Sequence, residues 1–350
     1  MKAPKTAELP AHIETEDELD EIMTRPPPGL IESVKTLQSP LLILGAAGKM
    51  GPSLAVLARR AAEAAGHKLE IVAVSRFSSH DARQWLDSRG VRTLACDLLE
   101  REALAKLPDS ANVLYLVGLK FGTAQNPSLT WAANTLVPSH VAERFPKARI
   151  VALSTGNVYP LTPISQTGSV ETDALTPLGE YANAAVARER LFEFHSRKNG
   201  TPVAVLRLNY AVDLRYGVLL EIAQKVWANQ PVDVTMGYLN CIWQGDANEM
   251  IVRTLPLAAS PPAAFNLTGA KVLSVRDLAQ RLGQLMNRPP TITGAEADTA
   301  LLSNPSRLFG ILGEPPTSLE TMLRWVAHWV MKSRRTLGKP TRFEVRDGKF

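Results

Sequence analysis

Three glycines stand at regular spacing in the segment GAAGKMG, at positions 45, 48 and 51. The apolar run LLIL precedes them, and a segment with helical spacing follows. At such a turn, small residues let the backbone approach a phosphate, and the free N–H groups of the helix N-terminus attract negative charge. Gly45, Gly48 and Gly51 therefore predict a dinucleotide-binding loop, although the usual spacing is G-x-G-x-x-G. Lys49 and Met50 belong to this loop, and the lysine either approaches a phosphate or is an exposed helix residue.

The residues after the second apolar run bear on which dinucleotide would fit. Sites that select NAD usually place an acidic residue here, which accepts a hydrogen bond from the ribose 2′-hydroxyl. This chain has Ser75 and Arg76 instead, and a hydroxyl with a guanidinium suits a 2′-phosphate. We therefore expect NADP in preference to NAD, unless Arg76 only stacks on adenine or faces water. Asp97, after the third run, is placed to bind the adenine amino group or to cap a helix.

Short apolar runs alternate with helical segments and would position these groups. The runs cover residues 41–45, 69–75, 91–97, 112–118, 149–155 and 202–208. Nearly every residue in them is apolar, which is typical of a parallel sheet covered by helices on both faces. Beyond about residue 213 the alternation becomes irregular, with helices predicted at 217–229, 274–287 and 317–336. The predicted fold class is α/β: a Rossmann-like doubly wound parallel sheet, with a smaller C-terminal substrate lobe interleaved with its last strand.

Charge is unevenly distributed along the 350 residues, whose net charge is +5. Residues 1–38 hold four basic and eight acidic residues, whereas residues 331–350 hold seven basic and two acidic ones. We predict an acidic N-terminal extension over 1–38, an NAD(P)-binding Rossmann domain over 39–212, a substrate-binding lobe over 213–330 and a basic tail over 331–350. The extension resembles a capped acidic helix ended by prolines, and we expect it to be solvated rather than to cover a neighbouring subunit.

Composition and motifs argue against several other classes of protein. No apolar run approaches the roughly 20 residues needed to span a bilayer, and the N-terminus lacks the apolar core of a signal peptide. Basic residues are not interleaved with aromatic ones, as a nucleic-acid-binding face would require. Cys96 and Cys241 form neither a disulfide framework nor a metal motif, and the six histidines lack metal-ligand spacing. We expect no metal, no nucleic-acid or membrane partner, and a cytoplasmic location.

Together the motifs resemble the extended short-chain dehydrogenase/reductase family, the NAD(P)-dependent sugar epimerases and dehydratases, over roughly residues 40–330. GAAGKMG matches the nucleotide loop of the family, STGNVYP its segment S-S-x-x-V-Y-G, and PLGEYANAAVARE its helix P-x-x-x-Y-x-x-x-K. AANTLVPSH resembles the N-V-x-G-T helix, WQGDANEMI the V-x-D-D-V-A segment, and FNLTG the Y-N-V-G strand. The combination is specific, whereas each piece alone is not.

The resemblance implies oxidation, reduction or epimerisation at a carbinol carbon of a small polyhydroxylated molecule. Tyr181 would exchange a proton with the substrate hydroxyl, Thr155 would orient the substrate oxygen, and Asn134 would take the structural-relay position. The implied cofactor-binding residues are Gly45, Gly48, Lys49, Met50, Gly51, Ser75, Arg76, Asp97, Leu98, Val117, Gly118 and Tyr181. A homodimer is implied as well, because the helices near 127–144 and 179–198 carry extra apolar positions and pair across a two-fold axis in the family.

The chain departs from the family at position 185, where Ala185 replaces the catalytic lysine. That lysine binds the nicotinamide ribose and lowers the pKa of the tyrosine, whose ordinary value of about 10 makes it a poor base at neutral pH. Three explanations remain open: Lys120, just past the fourth strand, supplies the cation; the charge of the oxidised nicotinamide suffices, with Thr155; or the protein is a non-catalytic NAD(P)-binding sensor or scaffold. Arg188 shares the helix face, but its spacing of seven residues predicts that it is too remote from Tyr181.

Overall fold

A computed structural model describes residues 9–78, 80–120 and 125–349. The strands in it are β1 (Leu41–Leu44), β2 (Ile71–Ser75), β3 (Arg92–Ala95), β4 (Asn112–Tyr115), β5 (Arg149–Thr155), β6 (Thr162–Pro163), β7 (Val203–Leu208), β8 (Ala211–Val212), β9 (Val232–Asp233), β10 (Tyr238–Leu239), β11 (Ile242–Trp243), β12 (Ala263–Leu267), β13 (Leu273–Ser274), β14 (Ile292–Thr293) and β15 (Thr299–Ala300).

The helices are α1 (Glu16–Met23), α2 (Pro28–Val34), α3 (Gly51–Ala64), α4 (His80–Asp87), α5 (Arg101–Ala105), α6 (Pro127–Arg144), α7 (Gly179–Asn199), α8 (Val218–Trp227), α9 (Gln244–Arg253), α10 (Val275–Met286), α11 (Ser306–Leu312) and α12 (Leu319–Met331). Two short 3₁₀ helices cover Gly156–Val158 and Leu255–Leu257.

Seven strands form the central sheet, in the order β12-β7-β5-β4-β1-β2-β3, and every neighbouring pair is parallel. Side chains of a strand alternate between its two faces. Leu41 and Ile43 of β1 therefore pack into the core cluster that includes residues of α3, while Leu42 and Leu44 pack into the cluster that includes residues of α6 and α7. Both faces are covered, which confirms the predicted α/β class and the Rossmann-like doubly wound sheet.

The direction of winding reverses at β1, which pairs with β2 on one side and with β4 on the other. In open α/β sheets a crevice forms at this reversal, outside the carboxyl ends of the strands. The glycine loop leaves β1 at this point, so the sheet places it where ligands collect.

A second lobe follows β7 and has a core of its own, built on α8, α10 and α12 with Trp325 and Trp329 fully buried. The strand β12 arises within the 213–330 segment but pairs with β7 in the central sheet. The chain therefore returns from the lobe to the sheet, and the boundaries given above for the domains stay a prediction.

The N-terminal segment packs against the rest of the chain, so the expectation that it is solvated was wrong. Thr15 caps α1, because its hydroxyl accepts a hydrogen bond from the N–H of Glu18 at 3.1 Å. Leu19 and Met23 stand four residues apart on one face of α1 and are buried in the core of the second lobe. The acidic residues of α1 are compatible with this packing because they occupy its other positions.

The C-terminal segment is also attached to the second lobe. Phe343 is buried there, and the backbone N–H and hydroxyl of Thr341 both donate to Glu221, at 2.9 and 2.6 Å. Arg346 donates to the hydroxyl of Thr299 at 2.7 Å. Among the described residues, no helix is both long enough and apolar enough to cross a membrane.

Candidate active site

The glycine loop has the shape that a phosphate group requires. Gly45 has a φ of +84°, a conformation that L side chains rarely adopt, and a Cβ at Gly51 would collide with the carbonyl oxygen of Ala46. The 14-residue helix α3 begins at Gly51, and no side chain in the described part of the chain caps its first N–H groups. The Gly51 N–H donates to the carbonyl of Gly48 at 3.2 Å and Pro52 has no N–H, so the positive end of the helix dipole is the main attraction for an anion here. The residues present therefore fit the pyrophosphate of a dinucleotide.

The predicted adenine-side residues lie together at the ends of β2 and β3. Ser75 is half-buried and pairs with Ala95 in the sheet, and the exposed Arg76 follows it. Asp97 accepts a hydrogen bond from the N–H of Leu99 at 3.0 Å, so its carboxylate already orders the turn after β3. Leu98 is buried beside it.

A cavity of about 230 Å³ lies at the carboxyl edge of the sheet, at the reversal between β1 and β4. It is lined by the predicted residues Lys49, Met50, Val117, Gly118, Lys120, Thr155 and Tyr181. The predicted adenine-side residues lie at the ends of β2 and β3, on the far side of β1 from this cavity. The residues predicted to bind adenine therefore lie apart from Thr155 and Tyr181, which could perform chemistry.

Tyr181 lies in the first turn of α7 and is 8% exposed, with its side chain on the cavity. Thr155 ends β5 and lines the same cavity. Its hydroxyl accepts from the N–H of Asn157 at 3.2 Å and donates to the Asn157 side chain at 3.1 Å. This contact orients the threonine hydroxyl at the point where a substrate oxygen could bind.

Position 185 has an apolar environment. Ala185 is fully buried and packs with Val158 and Tyr159. A lysine at this position would meet that apolar cluster, which gives a local reason for a small side chain here.

Arg188 lines the same cavity as Tyr181, although its spacing along α7 predicted that it is too remote to serve the phenol. Side chains on a helix tilt towards its N-terminus, so a long guanidinium side chain reaches back along α7. The Arg188 Nη1 donates to the carbonyl of Leu153 at 2.7 Å, and its Nη2 donates to the side-chain oxygen of Asn134. Asn134 is itself fully buried, and its amide donates to the carbonyl of Thr130 at 2.8 Å.

Two lysines add positive charge to the cavity. The Lys49 ammonium donates to the carbonyl of Ala211 at 2.6 Å and lies 4.4 Å from the centre of the Tyr216 ring. Burial lowers the pKa of Lys49 to about 8, although the Asp213 carboxylate opposes the shift. Burial also lowers the pKa of Lys120 to about 8. Lys49 thus extends from the glycine loop towards the second lobe.

Several cavity residues come from segments without a recognisable motif. Tyr210 and Tyr216 belong to the segment after β7, and Thr341 belongs to the C-terminal tail. Burial raises the pKa of Tyr216 to about 12, so its hydroxyl stays protonated at neutral pH and can donate a hydrogen bond. Only the aromatic pair in the segment NYAVDLRYG could have pointed to this wall in advance.

A buried polar network supports the cavity from below. Arg207 of β7 donates to both carboxylate oxygens of Glu189, with the shortest contact at 2.8 Å, and to the hydroxyl of Tyr159 at 2.7 Å. Ser154 donates to Glu189 at 2.5 Å, and Tyr159 donates to Asn266 of β12 at 2.9 Å. The network joins β5, β7, β12 and α7, and its member Ser154 also lines the cavity.

Comparisons with known proteins agree with this geometry. Residues 41–212 match the model of the NAD dependent epimerase/dehydratase family. Comparison with curated proteins finds no significant sequence match. Within the described residues, no group of three or more His, Cys, Asp or Glu side chains is placed to hold a metal ion.

Solved structures of low sequence identity share the fold. UDP-glucose 4-epimerase from Thermotoga maritima, solved with UDP-glucose, is 18% identical with a TM-score of 0.67, covering 84% of this chain and 99% of its own. UDP-glucose 4-epimerase from Thermus thermophilus, solved with NAD, is 17% identical with a TM-score of 0.68, covering 83% and 98%. dTDP-glucose 4,6-dehydratase from Bacillus anthracis, also solved with NAD, is 14% identical with a TM-score of 0.71, covering 84% and 97%.

These likenesses confirm the resemblance that the motifs predicted. Residues 41–212 are similar to the NAD dependent epimerase/dehydratase family, and the solved structures share the fold over most of the chain.

Proposed function

We propose that the protein is an NAD(P)-dependent oxidoreductase or epimerase that acts on a carbinol carbon of a sugar, a sugar acid or a sugar nucleotide. The observation that carries the proposal is the shared cavity: Tyr181 and Thr155 line it together with Lys49 and Met50 of the dinucleotide-binding loop. A phenol, an oriented hydroxyl and cationic groups beside a phosphate cradle suit proton transfer at a substrate hydroxyl better than they suit a scaffold.

In the proposed mechanism, residues of this chain move the proton and hold the substrate oxygen. The dinucleotide, when bound, supplies the capacity to accept and return a hydride. Tyr181 takes the proton of the substrate hydroxyl through its phenolate oxygen, or returns it in the reverse direction. Thr155 holds the substrate oxygen by a hydrogen bond. Lys120 stabilises the phenolate by its positive charge, and Asn134 supports the arrangement from behind Arg188.

Different parts of the site would bind the cofactor and the substrate. Ser75 and the exposed Arg76 favour a 2′-phosphate and hence NADP, whereas two of the compared structures were solved with NAD. Around the cavity, hydroxyl and amide groups of Asn157, Asn209 and Tyr216 offer partners for a polyhydroxylated ligand, in line with the UDP-glucose bound by one compared structure.

We further propose a homodimer that works in the cytoplasm. Exposed apolar side chains on α6 and α7 support the dimer, and two free, buried cysteines suit a reducing compartment.

The proposal is tested by cofactor titration and by turnover of the wild type and Tyr181→Phe. The wild type should bind NADP more tightly than NAD and convert at least one member of a panel of UDP-sugars, hexoses and sugar acids, as followed by nicotinamide absorbance and by chromatography of epimers. Tyr181→Phe should lower kcat by about 10² to 10⁴-fold and leave cofactor affinity within about twofold, because only the proton-transfer group is removed.

Tyr238→Phe is the matched control, since Tyr238 lies on β10 in the second lobe and packs against Met236 and Ala300. Turnover that survives intact in Tyr181→Phe contradicts the assigned role, and a wild type that binds neither dinucleotide overturns the proposed function.

A further inference from the structure

Arg188 is a buried cation at the edge of the candidate site. It is only 3% exposed, and it pairs with no carboxylate of residues 9–78, 80–120 or 125–349 within salt-bridge distance. Its two hydrogen bonds go to neutral oxygens, on Leu153 and Asn134. The Arg188 Nε is buried and has no hydrogen-bond partner in the same described residues.

This arrangement is costly unless a ligand completes it. An arginine stays charged at any physiological pH, and a buried charge without a counter-charge is strongly destabilising. A guanidinium has five donors in a planar fork, and the two bonds above employ only part of it. A ligand with adjacent oxygens on the cavity side would accept from the second hydrogens of Nη1 and Nη2, which the two bonds above leave over.

The position of the guanidinium restricts what that ligand can be. The Arg188 Nη2 lies against Gly118, where a Cβ would be only 3.0 Å away. Gly118 follows β4 on the cavity side of the reversal, opposite the adenine-side residues of β2 and β3. Tyr181 lines the same cavity. Under the proposed function, the hydride-transferring end of a dinucleotide would bind on this side.

We propose that Arg188 anchors the vicinal hydroxyls of the nicotinamide-side ribose and thereby supplies the cofactor-holding cation that Ala185 lacks. The inference rests on the proposed function. Asn134 and the carbonyl of Leu153 position the guanidinium, while Lys120 remains the group proposed to act on the phenol. The lysine of the family both binds the ribose and lowers the pKa of the tyrosine. In this chain Arg188 would bind the ribose, and Lys120 would act on the phenol.

The test compares binding of a whole dinucleotide with binding of its fragment that lacks the nicotinamide nucleoside, namely ADP for NAD and 2′-phospho-ADP for NADP, by calorimetry. Arg188→Gln should weaken the dinucleotide by about 10 to 100-fold, since a charge-assisted contact is lost, and leave the fragment within about twofold. Arg188→Lys should weaken the dinucleotide several-fold and also leave the fragment unchanged.

The control is Arg190→Gln, on the same helix, where Arg190 is exposed and paired with Glu193 at 2.8 Å. It should change neither affinity. Far-ultraviolet circular dichroism checks that each variant is folded, and Arg188→Lys keeps the test decisive if the Gln variant unfolds, because it retains the buried charge.

The outcomes separate the inference from the function on which it rests. If Arg188→Gln binds the dinucleotide and the fragment with equally reduced affinity, or with unchanged affinity, the role of Arg188 is overturned. The proposed function still stands in that case, provided that the wild type binds a dinucleotide and converts a substrate. A raised substrate KM in Arg188→Gln with unchanged dinucleotide affinity would assign the guanidinium to the substrate and overturn the inference as well.

Discussion

Lys120 and Lys49 bring two ammonium groups to the cavity that Tyr181 lines. Burial lowers the pKa of each lysine to about 8, so both are mainly charged at neutral pH and lose that charge as the pH rises through about 8. A positive charge near a phenol stabilises the phenolate, which is the proton-accepting form. A lysine that serves Tyr181 can therefore do so only below about pH 8.

Lys120→Met should move the rising limb of the pH–rate profile for alcohol oxidation to higher pH. One charge at about 5 Å, with an effective dielectric constant near 20, contributes about 3 kcal/mol, so the shift is at most about two pH units. The difference in rate between Lys120→Met and the wild type should become smaller above about pH 8, because Lys120 of the wild type is then uncharged as well. Lys106→Met, at an exposed position after α5, is the control. A Lys120→Met profile that matches the wild type contradicts the relocated cation.

The glycine loop and the cavity positions of Thr155 and Tyr181 could be predicted from the sequence, because each belongs to a short motif at the end of a strand or the start of a helix. Arg188 could not be placed by its spacing along α7, since its position depends on contacts with β5 and α6. Tyr216 was missed for a related reason: the second lobe brings it to the cavity, and no local pattern records that approach.

At the scale of elements, the Glu189–Arg207 pair fastens α7 to the central sheet. Both side chains are 7% exposed, and their contacts extend to Ser154 and Tyr159. A buried pair adds little stability over an apolar pair of the same shape, but the loss of one partner leaves an uncompensated charge. The pair therefore holds the helix that carries Tyr181 in one register against β5 and β7.

Glu189→Gln should lower the free energy of unfolding by about 3 to 5 kcal/mol, because the Arg207 guanidinium remains buried without its counter-charge. Glu189→Gln combined with Arg207→Met should cost less than the sum of the two single changes, since the pair is removed as a unit. Chemical denaturation measures each difference. The control is Glu193→Gln, whose carboxylate pairs with Arg190 and Arg197 on the outer side of α7 and should cost less than about 1 kcal/mol. Equal costs at 189 and 193 would contradict the role of the buried pair.

At the scale of the whole molecule, the sheet could be predicted because each strand is an almost continuous apolar run between helical segments. The placement of the two termini could not. The N-terminal segment is acidic and proline-rich, which suggested a solvated extension, yet Leu19 and Met23 are buried in the core of the second lobe, and Leu30 and Val34 are buried in the core cluster that includes α3. The basic tail likewise returns to the lobe through Phe343 and contributes Thr341 to the cavity. The helical spacing of Leu19 and Met23 shows that one face of α1 is apolar, but it does not show which part of the chain covers that face.

The outer faces of α6 and α7 lead to the last prediction, which concerns assembly. The two helices pack on each other, yet Leu129, Trp131 and Leu136 of α6 and Phe194 of α7 are 39% to 55% exposed. Exposed apolar side chains on two neighbouring helices would be removed from water by an interface on these helices. The wild type should therefore have twice the chain mass of 38.1 kDa by light scattering at micromolar concentration.

Leu136→Arg combined with Phe194→Arg should yield a folded monomer, because a two-fold interface repeats each buried charge. Ile311→Arg, at a 52% exposed position on α11, should leave the dimer intact. A monomeric wild type, or a dimer that survives the double change, would place the interface elsewhere or exclude it.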